Sequence, residues 1–529
     1  MLKKIRTKIT LIVKDETVLI NAVWIILAIL LGTVVRLNFI SGTEFPINDG
    51  GLFYQMVEDL QENKFNIPRF THYNQDEIPF AYPPLAFYFI AFLNVLTSVS
   101  IMSILRYIPA LISVITILAF YFLSRELIKD QILAGIATVL FAVIPRAFEW
   151  FVMGGGITRA LGFLFAILSI QTIWQMYEKN NGRGAIFRAV IYSGLTVLSH
   201  PETALFVVFT AFALILYHGI TKERILKSVW VAAGVLVVIS PWIVSVIRIH
   251  GLAPFISAGG TGHDLWFEIK NLITLKFGFE NGEFLSVYSG LAIIAVFIRR
   301  DKLTWTLFGL LIIGYVFFPR SGPNLLTIWV TLLAAIGLKE ILLFSAKKIN
   351  QTTELSNVLE ADSKVKIILI LVIIYLFMGA YTYKYIYGKD KLHLTEEIQE
   401  AFVWIEENTA PSTSFLIYPS VESNRFWWND YLSEWFPVIA KRHSVTTVQG
   451  YEWVPELFEQ KVFSYYWLRA CDKPGPACVE IWEEFNNYEI DFLVIDIDED
   501  RPDFVNSFEM NDDYSLFYEN FRLIVFAKK

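Results

Sequence analysis

Apolar residues along this chain gather into repeated runs of membrane-crossing length, separated by short polar stretches. A helix needs ~20 mainly apolar residues to cover the ~30 Å of hydrocarbon in a bilayer. The first run, near Val18–Ile40, is too long for a signal-peptide core, and no small-residue cleavage site follows it, so it reads as a retained span. Further runs lie near 104–124, 131–148, 158–176, 186–199, 203–218, 228–247, 285–298, 303–318, 325–343 and 366–386. Together they predict about eleven transmembrane helices. Pro84–Thr97, after Tyr82-Pro83-Pro84, is short for a span and predicts a helix lying on or dipping into the membrane surface.

Basic residues orient these spans, because cytoplasmic loops are enriched in Lys and Arg. Lys3, Lys4, Arg6, Lys8 and Lys14 precede the first span. With Pro84–Thr97 not crossing, the same side also holds Arg125/Lys129, Lys179/Arg183/Arg188, Lys222/Arg224/Lys227, Arg299/Arg300/Lys302 and Lys339/Lys347/Lys348/Lys364/Lys366. That side carries 21 basic residues against about nine on the other, which is spread over far more chain. The N-terminus is thus expected in the cytoplasm of a multi-pass plasma-membrane protein, with longer outer segments at 41–103, 248–284 and beyond 387.

The last segment has a different pattern. Leu394–Asn408 has helical spacing with Thr395 as cap, whereas Ser414–Tyr418, Asp491–Ile497 and Phe521–Ala527 read as strands. The expected fold class is therefore a polytopic α-helical membrane domain over 1–388 followed by an extracytoplasmic α/β domain over 389–529. Charge divides the same way. From Asp390 onward there are 27 acidic and 11 basic residues, a net of −16, while the remaining 389 residues carry a net of +9. An oxidising exterior would let Cys471 and Cys478 pair across a short loop; two free thiols are the alternative.

Whole-chain figures agree with a membrane protein: 529 residues, 55% hydrophobic, 16% aromatic, 18% charged, with mean hydropathy +0.49. The net charge of −7 argues against a nucleic-acid partner, whose footprint would be basic.

Charge in lipid is costly, so ionisable residues at the outer helix ends are the informative ones. Asp49, in Asn48-Asp49-Gly50-Gly51, follows the first span beside two glycines that let a ligand approach. A partly desolvated carboxylate there is suited to take a proton from a hydroxyl; a plain Asp-Gly turn is the other reading. The second outer loop holds Glu149 and Gly154-Gly155-Gly156-Ile-Thr158-Arg159. That pattern fits either an anion-binding turn at a helix N-terminus or close helix packing, although packing needs no guanidinium. His200-Pro201-Glu202 marks another outer helix end, and His263-Asp264 lies in the long outer loop. No His-x-x-x-His or comparable spacing supports a metal site, so neither a divalent metal nor another cofactor is indicated. Arg320 suits a lipid phosphate or a snorkelling interfacial position. With Arg36, these residues put carboxylates for a hydroxyl-bearing acceptor and arginines for a phosphate leaving group on one face.

These residues resemble the GT-C superfamily of polytopic glycosyltransferases that use polyprenyl-phosphate sugars. The likeness rests on Asp49 after the first span, Phe80-Ala-Tyr82-Pro83-Pro84-Leu85 before a surface helix, and Glu149 in the second outer loop. The odd span count and outer α/β tail look like the protein-mannosyltransferase and lipid A aminoarabinose-transferase branch. Within it, Gly154-Gly-Gly-Ile-Thr158-Arg159-Ala-Leu-Gly162, Leu198-Ser-His200-Pro201-Glu202 and Ser433-Glu434-Trp435-Phe436-Pro437 resemble a group of bacterial and archaeal membrane proteins. The resemblance implies that Asp49 acts as base or orients the acceptor, and that Glu149 helps hold acceptor or sugar. It also implies a polyprenyl-phosphate-linked sugar donor and a glycan, lipid or protein acceptor. Asn48 stands where many relatives carry a second acid, and the second loop lacks an Asp-x-Asp motif, which points away from the oligosaccharyltransferase branch. Competing expectations are a lipid-linked sugar flippase and a non-catalytic scaffold for cell-envelope assembly. A flippase would be expected to show internal repeats and mid-span charge.

Overall fold

The computed structural model describes residues 16–178, 183–260, 277, 286–318, 320–346, 355–419, 426–472, 475–497 and 502–529. His263 and Asp264 lie outside the described residues, as do the basic residues Lys3, Lys4, Arg6, Lys8, Lys14, Lys179, Lys347 and Lys348.

Every predicted apolar run coincides with a helix. Seven of these helices are long and apolar enough to cross a membrane: Leu19–Ile40 (within Glu16–Ile40), Ile101–Ile128, Gly156–Glu178, Pro201–His218, Lys222–His250, Thr327–Ser345 and Ser363–Ile386. The other four predicted spans are shorter: Gln131–Val143, Arg183–Val197, Val287–Arg299 and Lys302–Phe317, of 13, 15, 13 and 16 residues. At ~1.5 Å per residue a 13-residue helix reaches ~20 Å, less than the hydrocarbon thickness. The run expected over 131–148 stops at Val143 because Pro145 holds Ile144 in an extended conformation (ψ 120°), and a short 3₁₀ turn follows. The short helix expected after Tyr82-Pro83-Pro84 forms as Leu85–Thr97, burying Ala86, Phe87, Ile90 and Ala91 and exposing Phe92, Val95 and Leu96, so it is apolar on both sides.

Two short strands, β1 (Phe70–Thr71) and β2 (Ile78–Pro79), pair antiparallel. Between Ser414 and Lys528 the chain builds a mixed sheet from β3 (Ser414–Ile417), β4 (His443–Ser444), β5 (Phe492–Asp496), β6 (Tyr514–Glu519) and β7 (Leu523–Lys528), in the order β4-β3-β5-β7-β6. β3 pairs in parallel with β4 and β5, and β7 runs antiparallel to β5 and β6. Alternation along the strands divides two cores. Phe415, Ile417, Val494 and Val525 join the large core continuous with the helical bundle. Leu416, Leu493, Ile495 and Phe526 face a second core with Trp482 and Phe504. Cys471 and Cys478 form a disulfide, with Cα atoms 5.4 Å apart. The three expected strands are present; the two-residue β4 and the largely exposed β6 lacked the alternation that would have marked them.

Candidate active site

Asp49 lies on the segment between the first long helix and the helix Gly51–Glu62. Asn48 has φ 58° and Gly50 φ 135°, so the chain turns sharply through left-handed backbone that asparagine tolerates and glycine adopts at no steric cost. The glycines of the loop between the helices Gln131–Val143 and Gly156–Glu178 pack directly on this turn. Gly154 N donates to Ile47 O (3.1 Å) and Gly155 N to Asp49 O (2.9 Å). A Cβ on Gly155 would lie 2.6 Å from Asp49 Cγ, so only glycine permits this approach.

The same approach fixes the carboxylate. Asp49 Oδ1 accepts from Gly155 N (3.1 Å), and Oδ2 accepts from Arg159 Nη1 (3.0 Å). The Asp49 side chain keeps 15% of its exposure, and each oxygen retains a lone pair for another donor. Arg159 also sits 5.4 Å from the centroid of the Trp150 ring, and Lys389 Nζ lies 5.2 Å from that ring. Two cations thus share one indole beside Asp49. Lys389 makes no ion pair among the described residues, and burial lowers its pKa.

The remaining sequence candidates divide. His200 caps the helix Pro201–His218, its Nδ1 facing Thr203 N (3.4 Å) and Thr203 Oγ1 (3.0 Å). Burial, with the nearby charges of Arg159 and Arg320, lowers its pKa to about 3, so the ring is neutral. Arg320 is exposed and makes no ion pair among the described residues. Glu202 is tied to Ser321, through its backbone N (3.3 Å) and its hydroxyl. Glu149 is fully buried and held by Arg146 and the Tyr383 hydroxyl, so it braces the second loop against the last long helix. Arg36 does not join the other candidates. It is fully buried, with Nε on Ser113 Oγ (2.8 Å) and Nη1 on the carbonyls of Ala142 (2.7 Å) and Gly32 (3.1 Å). Its long side chain ties three helices together instead.

Several site residues escaped the sequence reading. Lys389 counted only as one more outer basic residue, and Trp150 as one more aromatic. Tyr82, whose hydroxyl is 3.5 Å from Thr158 Oγ1, belonged to a quoted motif without a role. Glu452, whose Oε2 accepts from Gly450 N (2.8 Å), lies within the positive field of Arg320 and Arg159. Burial nevertheless raises its pKa. Away from this site, Asp59, Glu62 and His72 bring ligand atoms within 4.8 Å of one another. Both Asp59 oxygens are already occupied, by Gln55 Nε2 (3.0 Å), His72 N (3.0 Å) and His72 Nδ1 (2.7 Å), so the cluster anchors a loop.

The fold that carries these residues has solved counterparts. ArnT of Cupriavidus metallidurans in the apo state superposes with TM-score 0.59 at 13% identity, over 96% of this chain and 98% of that one. Its undecaprenyl-phosphate-bound form gives 0.52 at 12% identity, over 96% and 97%. The chain has the GT-C fold. The archaeal oligosaccharyltransferase AglB of Archaeoglobus fulgidus, solved with an inhibitory peptide and a dolichol-phosphate, gives 0.54 at 14% identity over 89% of this chain and 69% of AglB. The mycobacterial arabinofuranosyltransferase AftD gives 0.56 at 14% identity over 96% of this chain and 40% of AftD. At these identities the likeness is one of fold. A family model described as a 6-pyruvoyl-tetrahydropterin synthase related domain, membrane protein, matches residues 81–258. That stretch carries Glu149, Arg159, His200 and Glu202 on this GT-C scaffold. No curated protein matches the sequence.

Proposed function

We propose that the protein is an integral membrane glycosyltransferase. It moves a sugar from a polyprenyl-phosphate donor to a hydroxyl on a glycan, lipid or protein acceptor at the extracytoplasmic face. The observation that carries the reading is the Asp49 carboxylate, partly exposed and held in place by Gly155 and Arg159, with Lys389 across the same tryptophan. The GT-C fold, shared with proteins solved on undecaprenyl phosphate and dolichol-phosphate, supports the donor class. The charge bias of the loops supports an N-terminus in the cytoplasm of the plasma membrane, about eleven crossings, and the domain from residue 389 outside.

In this reading the donor phosphate lies against Arg159, Lys389 and Arg320. Asp49 takes the proton from the acceptor hydroxyl as its oxygen bonds to the anomeric carbon. The bond from that carbon to the phosphate oxygen breaks, and the electron pair leaves with the lipid phosphate, whose charge the cations offset. No metal is invoked. General-base assistance of this kind contributes ~10²–10⁴-fold. Purified protein in proteoliposomes, given radiolabelled polyprenyl-phosphate sugar, should release lipid phosphate, and Asp49→Asn should remove most of that release while leaving the fold intact. Near-normal turnover in that variant would refute Asp49 as the base, and sugar movement without cleavage would indicate a flippase.

A further inference from the structure

Asp49 is held on two sides, and only one of them belongs to the helical bundle. On the bundle side, Gly155 and Arg159 hold its carboxylate. On the other side, the backbone on either side of Asp49 is bound by residues more than 370 positions further along the chain. Glu434 Oε1 accepts from both Gly50 N (2.7 Å) and Gly51 N (3.0 Å), the separations in sequence being 384 and 383. Trp435 Nε1 donates to Asn48 O (2.9 Å), and Asn48 Nδ2 donates to Trp428 O (3.0 Å). The Tyr73 hydroxyl, from the same outer segment as Asp49, donates to Glu434 O (2.7 Å).

Gly50 and Gly51 begin the helix Gly51–Glu62, whose own N-cap residue is a glycine and supplies no side-chain acceptor. The first amides of a helix need acceptors from outside it. Glu434 fills that role from a distance. It is 3% exposed, so its two bonds are made away from water, and its removal would leave two buried N–H groups without an acceptor.

We propose that Glu434, with Trp435, is a positioning residue: the helix Tyr431–Ile439 holds the 48–51 turn so that the Asp49 carboxylate stays aimed at the acceptor. The proposal rests on Asp49 being the base, and it makes the C-terminal segment part of the active site. Burial, and secondarily the neighbouring Asp49 charge, raise the Glu434 pKa well above the usual carboxylate range. Glutamine is a conservative replacement on geometric grounds, since its carbonyl oxygen can accept the same two bonds.

The test uses the full chain in proteoliposomes, with Glu434→Ala, Glu434→Gln and Trp435→Phe. Trp435→Phe keeps an aromatic ring facing Phe45 (centroids 4.6 Å apart) while removing the indole N–H that bonds Asn48 O and the outer part of the ring system. A displacement of about 1 Å at a reacting group costs about 10²-fold. Glu434→Ala should accordingly lower kcat by about that factor with donor KM unchanged, Glu434→Gln should restore most of the loss, and Trp435→Phe should fall between. Amide exchange of a peptide covering residues 47–54 gives a readout without turnover: faster in Glu434→Ala and restored in Glu434→Gln. Wild-type kcat and wild-type exchange in Glu434→Ala overturn the proposal, as does a kcat loss that glutamine does not rescue. If Glu434→Ala fails to fold, Trp435→Phe decides, and wild-type kcat with wild-type exchange in that variant overturns it. If the wild type transfers no sugar, the assignment of function fails. Exchange then still decides whether Glu434 holds the turn.

Discussion

Gly155→Ala tests the geometry around Asp49 without altering any ionisable group. The new Cβ would stand 2.6 Å from Asp49 Cγ and Oδ2, whereas ordinary contact begins at 3.4 Å. The side chain must therefore retreat by ~0.8 Å, since contacts inside that range are repulsive. It cannot retreat along the Arg159 bond without compressing a 3.0 Å ion pair, so it turns away from Gly155 N and loses the 3.1 Å bond. A shift of this size at a reacting group costs about 10²-fold, or ~2.7 kcal/mol of transition-state stabilisation. The expected result is a drop in kcat for lipid-phosphate release of about two decades, with donor KM little changed. Gly290→Ala is the control, because a Cβ there meets nothing within 4 Å and lies within the helix Val287–Arg299. It should leave the rate unaltered. Wild-type kcat in Gly155→Ala, with the protein folded, would show that Asp49 is not held for chemistry by this contact.

Lys389→Met should weaken binding of undecaprenyl phosphate by about 10- to 100-fold, the value of one charge-assisted hydrogen bond, in a direct binding measurement. Unchanged affinity would remove Lys389 from the donor site. Glu149→Ala leaves the partly exposed Arg146 without its ion-pair partner and frees the Tyr383 hydroxyl. It should cost about 1.5–3 kcal/mol in thermal or denaturant unfolding, whereas Tyr383→Phe should cost about 1 kcal/mol. Equal effects from the two variants would contradict the ion-paired role. His200 has a folded pKa of about 3 against an unfolded value of 6.5. Between those values the unfolded chain binds a proton that the folded chain does not, so stability is full above pH 6.5 and falls as pH drops toward 3. The slope is at most about 1.4 kcal/mol per unit, and it should flatten in His200→Asn when melting is followed against pH.

Much of the architecture was legible because lipid imposes a plain rule: only helices satisfy their own backbone, and they must be apolar over their length. All the apolar runs became helices for that reason, and Asp49, Glu149, Arg159 and His200 stood out as polar residues where spans end. Span lengths were less legible. Apolar character continues past Val143, but Pro145 stops the helix there, and hydropathy does not register a missing N–H. Arg36 shows the opposite limit. Its position near the end of the first span suggests the outer face, yet an arginine side chain is long enough to turn inward and bind Ser113 and Ala142.

By itself, then, the sequence determined an apolar helical bundle of net +9 carrying a C-terminal segment of net −16, and it put Asp49 just past a helix end. Only the tertiary structure decided which charges meet. It paired Asp49 with Arg159, 110 residues away, set Lys389 against Trp150, and brought Glu434 onto the amides of Gly50 and Gly51. Those contacts depend on glycines close enough to interleave two loops and on a distant carboxylate filling an uncapped helix start. Neither condition leaves a periodic trace in the chain, because each is met between segments and not along one.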